Sequence, residues 1–432
     1  MNTICRIIYF LKLFSRKNFF GFILGNDFLT DFHRRKIYTL IRSPHILWQA
    51  NYETELSAIL GGGKVITYAS GRMAFYSILK TLNLQKDDEV ILTGFTCSVM
   101  VNAVVRTGAK VIFADIDPDT FGSSPLEISK LISKKTKVIV AQHSFGIPCK
   151  IDIIQRITKE KNIFLIEDCA LSFMSKYKGI TLGNWGDAAI FSTDHSKPLN
   201  TLIGGFAYTN SLTLFESLKD IHKYLPDIPI KQQYKIYHRI CFEAKYFNPG
   251  LYRFLKLKEF IDIIFHKIFG ESKVPIFLIS DISSIPIRNS YYPYPSKFPV
   301  FLSYLGLLEL EKYKTSIHQR KLLMRCMLDD LSLKVDLPAS YNDSDNDIVP
   351  LRLAFCTESK IIHNEVSKFI DVDWFWFTKP IESTPEDLTA FSYIPGSCPV
   401  AERVGKTIVN IPCIFYSDDL LLKYVQKIKY EI

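Results

Sequence analysis

From about residue 60 to 210, short apolar β-branched runs alternate with stretches of helical period, a rhythm that few folds accept. Glu89-Val90-Ile91-Leu92 reads as a buried strand and Ser98 to Arg106 as the helix after it. Lys110–Asp115, Lys137–His143 and Ile163–Glu167 follow as strands, with Leu126–Ser133 and Ile151–Lys159 as the helices between them. Ala188–Ser192 and Gly205–Thr209 read as two more strands. Continuously apolar strands separated by helices predict an α/β fold, a largely parallel sheet covered on both faces.

After Thr209 the rhythm stops. Residues 215–297 lack strand alternation, whereas Phe301 to Leu331 is one long helical period. Residues 342–347 form a polar turn, and 348–432 mix strands and helices again. The expected organisation is an extension over 1–50, a large domain over 51–215, a connecting segment over 216–297 and a small α+β domain over 298–432. A chain of 432 residues is long enough for two domains.

The net charge of +9 is concentrated in two places. Residues 1–43 carry eight basic and two acidic side chains, and residues 231–270 carry eight and three. Both segments are rich in Phe, Tyr, Leu and Ile, the composition of helices that lie on anionic membranes, so a peripheral membrane contact is expected. Apolar runs such as Ile7–Leu11 fall well short of the roughly 18 residues of a spanning helix. The nine cysteines are scattered without Cys-x-x-Cys spacing, and the N-terminus is a poor signal peptide. Reduced thiols in a cytoplasm are the expectation, with no metal centre and no nucleic-acid partner.

Three stretches carry chemistry. Tyr68-Ala69-Ser70-Gly71-Arg72 is a small-residue turn opening a helix to Leu82; its free amides suit a phosphate, though a Ser-Gly turn is also an ordinary cap. Glu167-Asp168 ends a buried strand, where open α/β sheets bind ligands, or it caps a solvated turn. Lys197, in Ser192-Thr193-Asp194-His195-Ser196-Lys197 before Gly204-Gly205, is a Schiff-base former or a surface charge.

Order and spacing decide among these alternatives. Phosphate turn, strand-end Asp, Ser-x-x-x-x-Lys and Gly-Gly resemble the site of fold-type I pyridoxal-phosphate enzymes, and specifically the DegT/StrS-type nucleotide-sugar aminotransferases. The resemblance runs from about 52 to 210 and resumes from about 298. It includes Asp88-Glu89-Val90-Ile91, Asp115-Ile116-Asp117-Pro118, His143-Ser144-Phe145-Gly146, Glu167-Asp168-Cys169-Ala170 and Gly183-Asn184-Trp185-Gly186-Asp187. Cys398-Pro399-Val400-Ala401-Glu402 with Ile408-Val409-Asn410-Ile411-Pro412 is similar to the closing motif. The resemblance implies that Lys197 holds pyridoxal 5'-phosphate as the internal aldimine and that Asp168 pairs with its ring nitrogen. Gly71, Arg72 and Ser192 would hold its phosphate. It further implies a homodimer that transfers an amino group from an amino acid such as glutamate to a nucleotide-linked keto-sugar for surface polysaccharide or related glycans.

Departures from the pattern are visible. Cys97 stands where the family has an aromatic residue on the cofactor ring, Leu171 where Gln or His is usual, and Leu202-Ile203 where Gly-Glu precedes the Gly pair. The partner subunit's Asn-x-Arg motif has no match in 215–297. His143, ending a strand, either lines the substrate pocket or caps the next helix; His195 is a substrate candidate or a structural neighbour of Lys197. The rival readings are a pyridoxal-phosphate sugar dehydratase and a catalytically silent relative acting as a membrane-surface binding module.

Overall fold

In the computed structural model the described residues are 33–246, 251, 253–254, 257–258, 260–261, 293–331, 335–358, 376–382 and 387–413. Most of the first basic segment, most of 247–292 and the last 19 residues of the small domain lie outside them.

Seven strands form the central sheet: β1 Lys64–Tyr68, β2 Glu89–Thr93, β3 Lys110–Ala114, β4 Thr136–Gln142, β5 Phe164–Asp168, β6 Ala188–Ser192 and β7 Gly205–Thr209. Their spatial order is β1-β7-β6-β5-β4-β2-β3. From β6 to β3 all pairs are parallel, and β7 runs antiparallel between β1 and β6. The strands are almost wholly buried, which is why they read as continuous apolar runs rather than alternating ones. Helices such as Ser98–Val105 and Ile151–Lys161 fall within a few residues of their predicted bounds. The fold is the expected α/β architecture with a mostly parallel sheet.

Strand β1 is the addition that the sequence reading did not single out, because it begins directly after Gly61-Gly62-Gly63 and runs into the Ser70 turn. Beyond the sheet, the 32-residue helix Val300–Leu331 packs against helices Arg34–Arg42 and Leu47–Leu60. A second, two-stranded antiparallel sheet pairs Arg352–Cys356 with Ile408–Pro412. The polar turn over 342–347 ends in a short pairing, Asn346 with Tyr177 and Asp347 with Lys176, so part of it is strand. Among the described residues no helix is long and apolar enough to cross a membrane.

Candidate active site

Strand direction gathers the sequence-derived residues at one sheet edge. The carboxyl ends of β1, β5 and β6 lead to Ser70, Asp168 and Ser192. Antiparallel β7 starts at the same edge, with Gly205 between Tyr68 and Ser192 in register. Open α/β sheets bind ligands at this edge.

The turn before helix Gly71–Thr81 forms a cradle. Ser70 occupies the N-cap with extended backbone, yet its side chain makes no cap hydrogen bond. Its Oγ is buried and has no hydrogen-bond partner. Backbone packing here tolerates no side chain: a Cβ on Gly205 would come within 2.3 Å of the Gly71 nitrogen, and one on Gly71 within 3.1 Å of Ser192 Cβ. An unpartnered hydroxyl at the positive end of an 11-residue helix is a seat for an anion.

Asp168 and Glu167 face opposite sides of β5, as successive strand residues must. Asp168 is 7% exposed; Ala170 N–H donates to its Oδ1 at 3.0 Å. Burial holds its carboxyl above the usual range, against the Ala170 N–H and the charge of Lys197. Glu167 is instead a structural node. Gly183, Trp185 and Gly186 donate backbone N–H groups to it at 2.7–2.9 Å. His143 Nε2 lies 3.1 Å from its Oε2. The Cys149 N–H donates to His143 Nδ1 at 3.1 Å, so the ring proton sits on Nε2 and is given to Glu167. His143 is fully buried with both nitrogens engaged. As a substrate residue it is therefore corrected: both of its polar atoms serve the core. His143, Glu167 and Cys169 also bring ligand-type atoms within 4.8 Å of one another, but the His and Glu donors and acceptors are taken by these hydrogen bonds.

Lys197 follows a tight turn in which its N–H donates to the Asp194 carbonyl at 2.9 Å. Its charge acts on Asp168, Cys97 and Asp194, which places all three around the amine. Lys197 Nζ lies 4.6 Å from the Trp376 ring centroid. Burial raises the Cys97 thiol, outweighing Lys197 and Arg72, so it stays neutral at pH 7. For Asp194 burial is overcome by His195, Lys197 and Arg72, and its pKa falls to about 2. His195 Nδ1 sits 2.7 Å from Asp194 Oδ1, while Glu243 and Arg239 of helix Ile230–Tyr246 also act on the ring. His195 is thus a neighbour of the lysine turn that braces Asp194. Leu171 is buried at 5% exposure, and Leu202 adopts a left-handed φ of +70° in the position before the Gly pair.

Sequence reasoning missed Ser70 as a potential ligand, Asp194 and Trp376. In sequence, Ser70 is part of a turn whose amides, not its hydroxyl, suit a phosphate. The unpaired geometry of its hydroxyl is invisible without coordinates. Trp376 belongs to an irregular segment with no periodicity to draw attention to it.

A mostly parallel sheet with a lysine, a buried aspartate and an anion seat at its carboxyl edge is the fold-type I architecture. An aminotransferase from Psychrobacter cryohalolentis superposes with a TM-score of 0.68 at 18% identity, over 93% of this chain and 97% of that one. The PLP form of a putative sugar aminotransferase from Streptococcus pneumoniae superposes with a TM-score of 0.65 at 18% identity, over 91% and 94%. In sequence, GDP-perosamine synthase of Escherichia coli O157:H7 is 40% identical over 150 residues, 35% of this chain and 41% of that relative. Residues 48–241 match the model of the DegT/DnrJ/EryC1/StrS aminotransferase family.

Proposed function

We propose that the protein is a pyridoxal-phosphate-dependent aminotransferase that moves an amino group from an amino acid, glutamate, to a nucleotide-linked keto-sugar for surface polysaccharide or related glycan synthesis. The observation that carries this reading is the convergence of Lys197, buried Asp168 and the unpartnered Ser70 hydroxyl on one sheet edge. These residues fit pyridoxal phosphate. Ser70, the amides of Gly71 and Arg72, and Ser192 would hold its phosphate; Asp168 would hold the protonated ring nitrogen; Lys197 would hold its carbonyl carbon. When bound, the cofactor supplies an electron sink beside the donor's Cα. Asp168 contributes a fixed negative charge in a dry setting, where it acts strongly. Lys197 Nζ is the group that takes a proton from carbon and returns it, and the Trp376 ring beside it keeps water away.

The test is incubation of the protein with nitrogen-15 glutamate and a panel of nucleotide keto-sugars, followed by mass spectrometry. Transfer of the heavy nitrogen to one sugar is the expected result. A deoxy-keto product without nitrogen assigns a dehydratase instead, and no product from any panel member with no cofactor bound assigns a silent relative.

The same reading takes the enzyme to be a homodimer in the cytoplasm, with eight free cysteines among the described residues. It also includes contact with an anionic membrane. Tyr38 stacks near Tyr234 and Tyr237, with ring centroids 5.6 and 5.7 Å apart, joining helices Arg34–Arg42 and Ile230–Tyr246. Arg35, Arg42 and Lys231 are exposed on this pair. Replacing these three by Glu is expected to reduce co-sedimentation with anionic phospholipid vesicles by roughly tenfold or more at low salt. Equal sedimentation of both proteins removes the membrane from the reading.

A further inference from the structure

Among the described residues whose titration Lys197 affects are Asp168, a buried carboxyl, and Cys97, which offers only a small neutral thiol. The ring in contact with Nζ comes from a different part of the chain. Trp376 lies 4.6 Å from Nζ, centroid to nitrogen.

The backbone of Trp376 is tied to a neighbouring strand. Asn410, on the Ile408–Pro412 strand, accepts from the Trp376 backbone N–H at 3.4 Å and donates to its backbone carbonyl at 3.2 Å. Arg352 donates to Asn410 Oδ1 at 2.7 Å and sets its guanidinium 4.3 Å from the indole centroid. The residues after Trp376 tie it to the Cys97 turn. Phe377 packs on Phe95 at 4.9 Å, Thr96 N–H donates to the Pro380 carbonyl at 2.9 Å, and Ile381-Glu382 pair in parallel with Thr96-Cys97. An indole whose backbone is anchored on both sides therefore stands next to the Lys197 amine, beside a strand pairing that ends on Cys97.

From this geometry we propose that Trp376 is the aromatic wall of the cofactor pocket, supplying across the site the ring face that Cys97 lacks. The inference rests on the proposed pyridoxal-phosphate reading. A carbonyl carbon joined to Nζ, with loss of one water, lies one bond from a nitrogen already in contact with the indole. A flat cationic heterocycle carried on that carbon gains both an aromatic neighbour and a cation–π partner. Trp376 is on this account a positioning residue that holds the cofactor ring and leaves proton transfer to Lys197.

The test is a cofactor titration of the full-length protein, followed by the visible absorbance and circular dichroism of bound pyridoxal phosphate, with Trp376→Phe, Trp376→Leu and Trp376→Leu/Cys97→Phe. The expected result is an affinity within about twofold of the parent for Phe and a loss of about three- to tenfold for Leu. Cys97→Phe, which returns an aromatic ring from the other wall, should recover most of that loss. Leu fills the space without a π face, so a purely packing role predicts equal affinities for Phe and Leu and no recovery; that result overturns the proposal. A parent protein that takes up no pyridoxal phosphate overturns the functional reading itself, an outcome distinct from equal uptake by parent and variants.

Discussion

Lys197→Ala should shift the absorbance of the cofactor-loaded protein from the imine band to that of the free aldehyde and lower amine transfer by at least about 10³-fold. Loss of a positioned general acid–base costs roughly 10²–10⁴ in rate, and Lys197 would also be the covalent anchor. Its surroundings support a reactive amine rather than a solvated one. It is partly buried, 4.6 Å from an indole, and its charge acts on buried Asp168 and half-buried Asp194. Affinity for pyridoxal phosphate should fall far less than activity, because Ser70, Gly71 and Ser192 are untouched by the change. Borohydride treatment of the parent followed by peptide mapping checks the assignment directly. The cofactor should be fixed on Lys197 and on no other lysine, and none should be fixed in the variant. A surface lysine would instead leave activity intact and shift stability by less than about 0.5 kcal/mol. A label on another lysine would falsify the central assignment.

Much of the fold was legible because β2 to β7 are short β-branched runs with nothing else competing for them. Parallel burial erased any period-two signal, and that erasure was itself the clue to a sheet covered on both faces. Chemistry was less legible wherever direction matters. Glu167 and Asp168 look interchangeable in sequence, yet strand alternation sends Glu167 into three backbone N–H groups and His143, while Asp168 meets the Lys197 charge. His143 looked like a pocket residue because it ends a strand at the right edge; the Cys149 N–H that occupies its Nδ1 is a tertiary contact without a sequence signature. The glycines announced the anion cradle, since only residues without a Cβ let Gly71 and Gly205 touch. Trp376 and its anchor Asn410 are 34 residues apart and on different elements, a separation that no periodicity connects.

Asp168→Asn separates the electrostatic role of this residue from its place in the fold. Asn is nearly isosteric and keeps an oxygen for the Ala170 N–H, which now donates to Asp168 Oδ1 at 3.0 Å. The variant should therefore fold, with a melting temperature near that of the parent. The change removes a charge from a site 7% exposed, where a carboxylate acts with little screening from water. Burial already raises this carboxyl, and Lys197 is the leading charge that holds it down. Pyridoxal phosphate should bind within about tenfold of the parent affinity through the Ser70 cradle, but its ring nitrogen would have no counter-charge to keep its proton. Loss of one preorganised electrostatic partner typically costs 10²–10³ in rate, so amine transfer should fall by about that factor. The cofactor's absorbance should respond to pH differently from the parent's, since the anion that stabilises its protonated ring is gone. Stopped-flow measurement of the half-reaction with glutamate reads the rate without the sugar step. A variant that transfers nitrogen at close to the parent rate, with an unchanged spectral titration, removes Asp168 from the chemistry and leaves it a strand-end carboxylate with one backbone hydrogen bond.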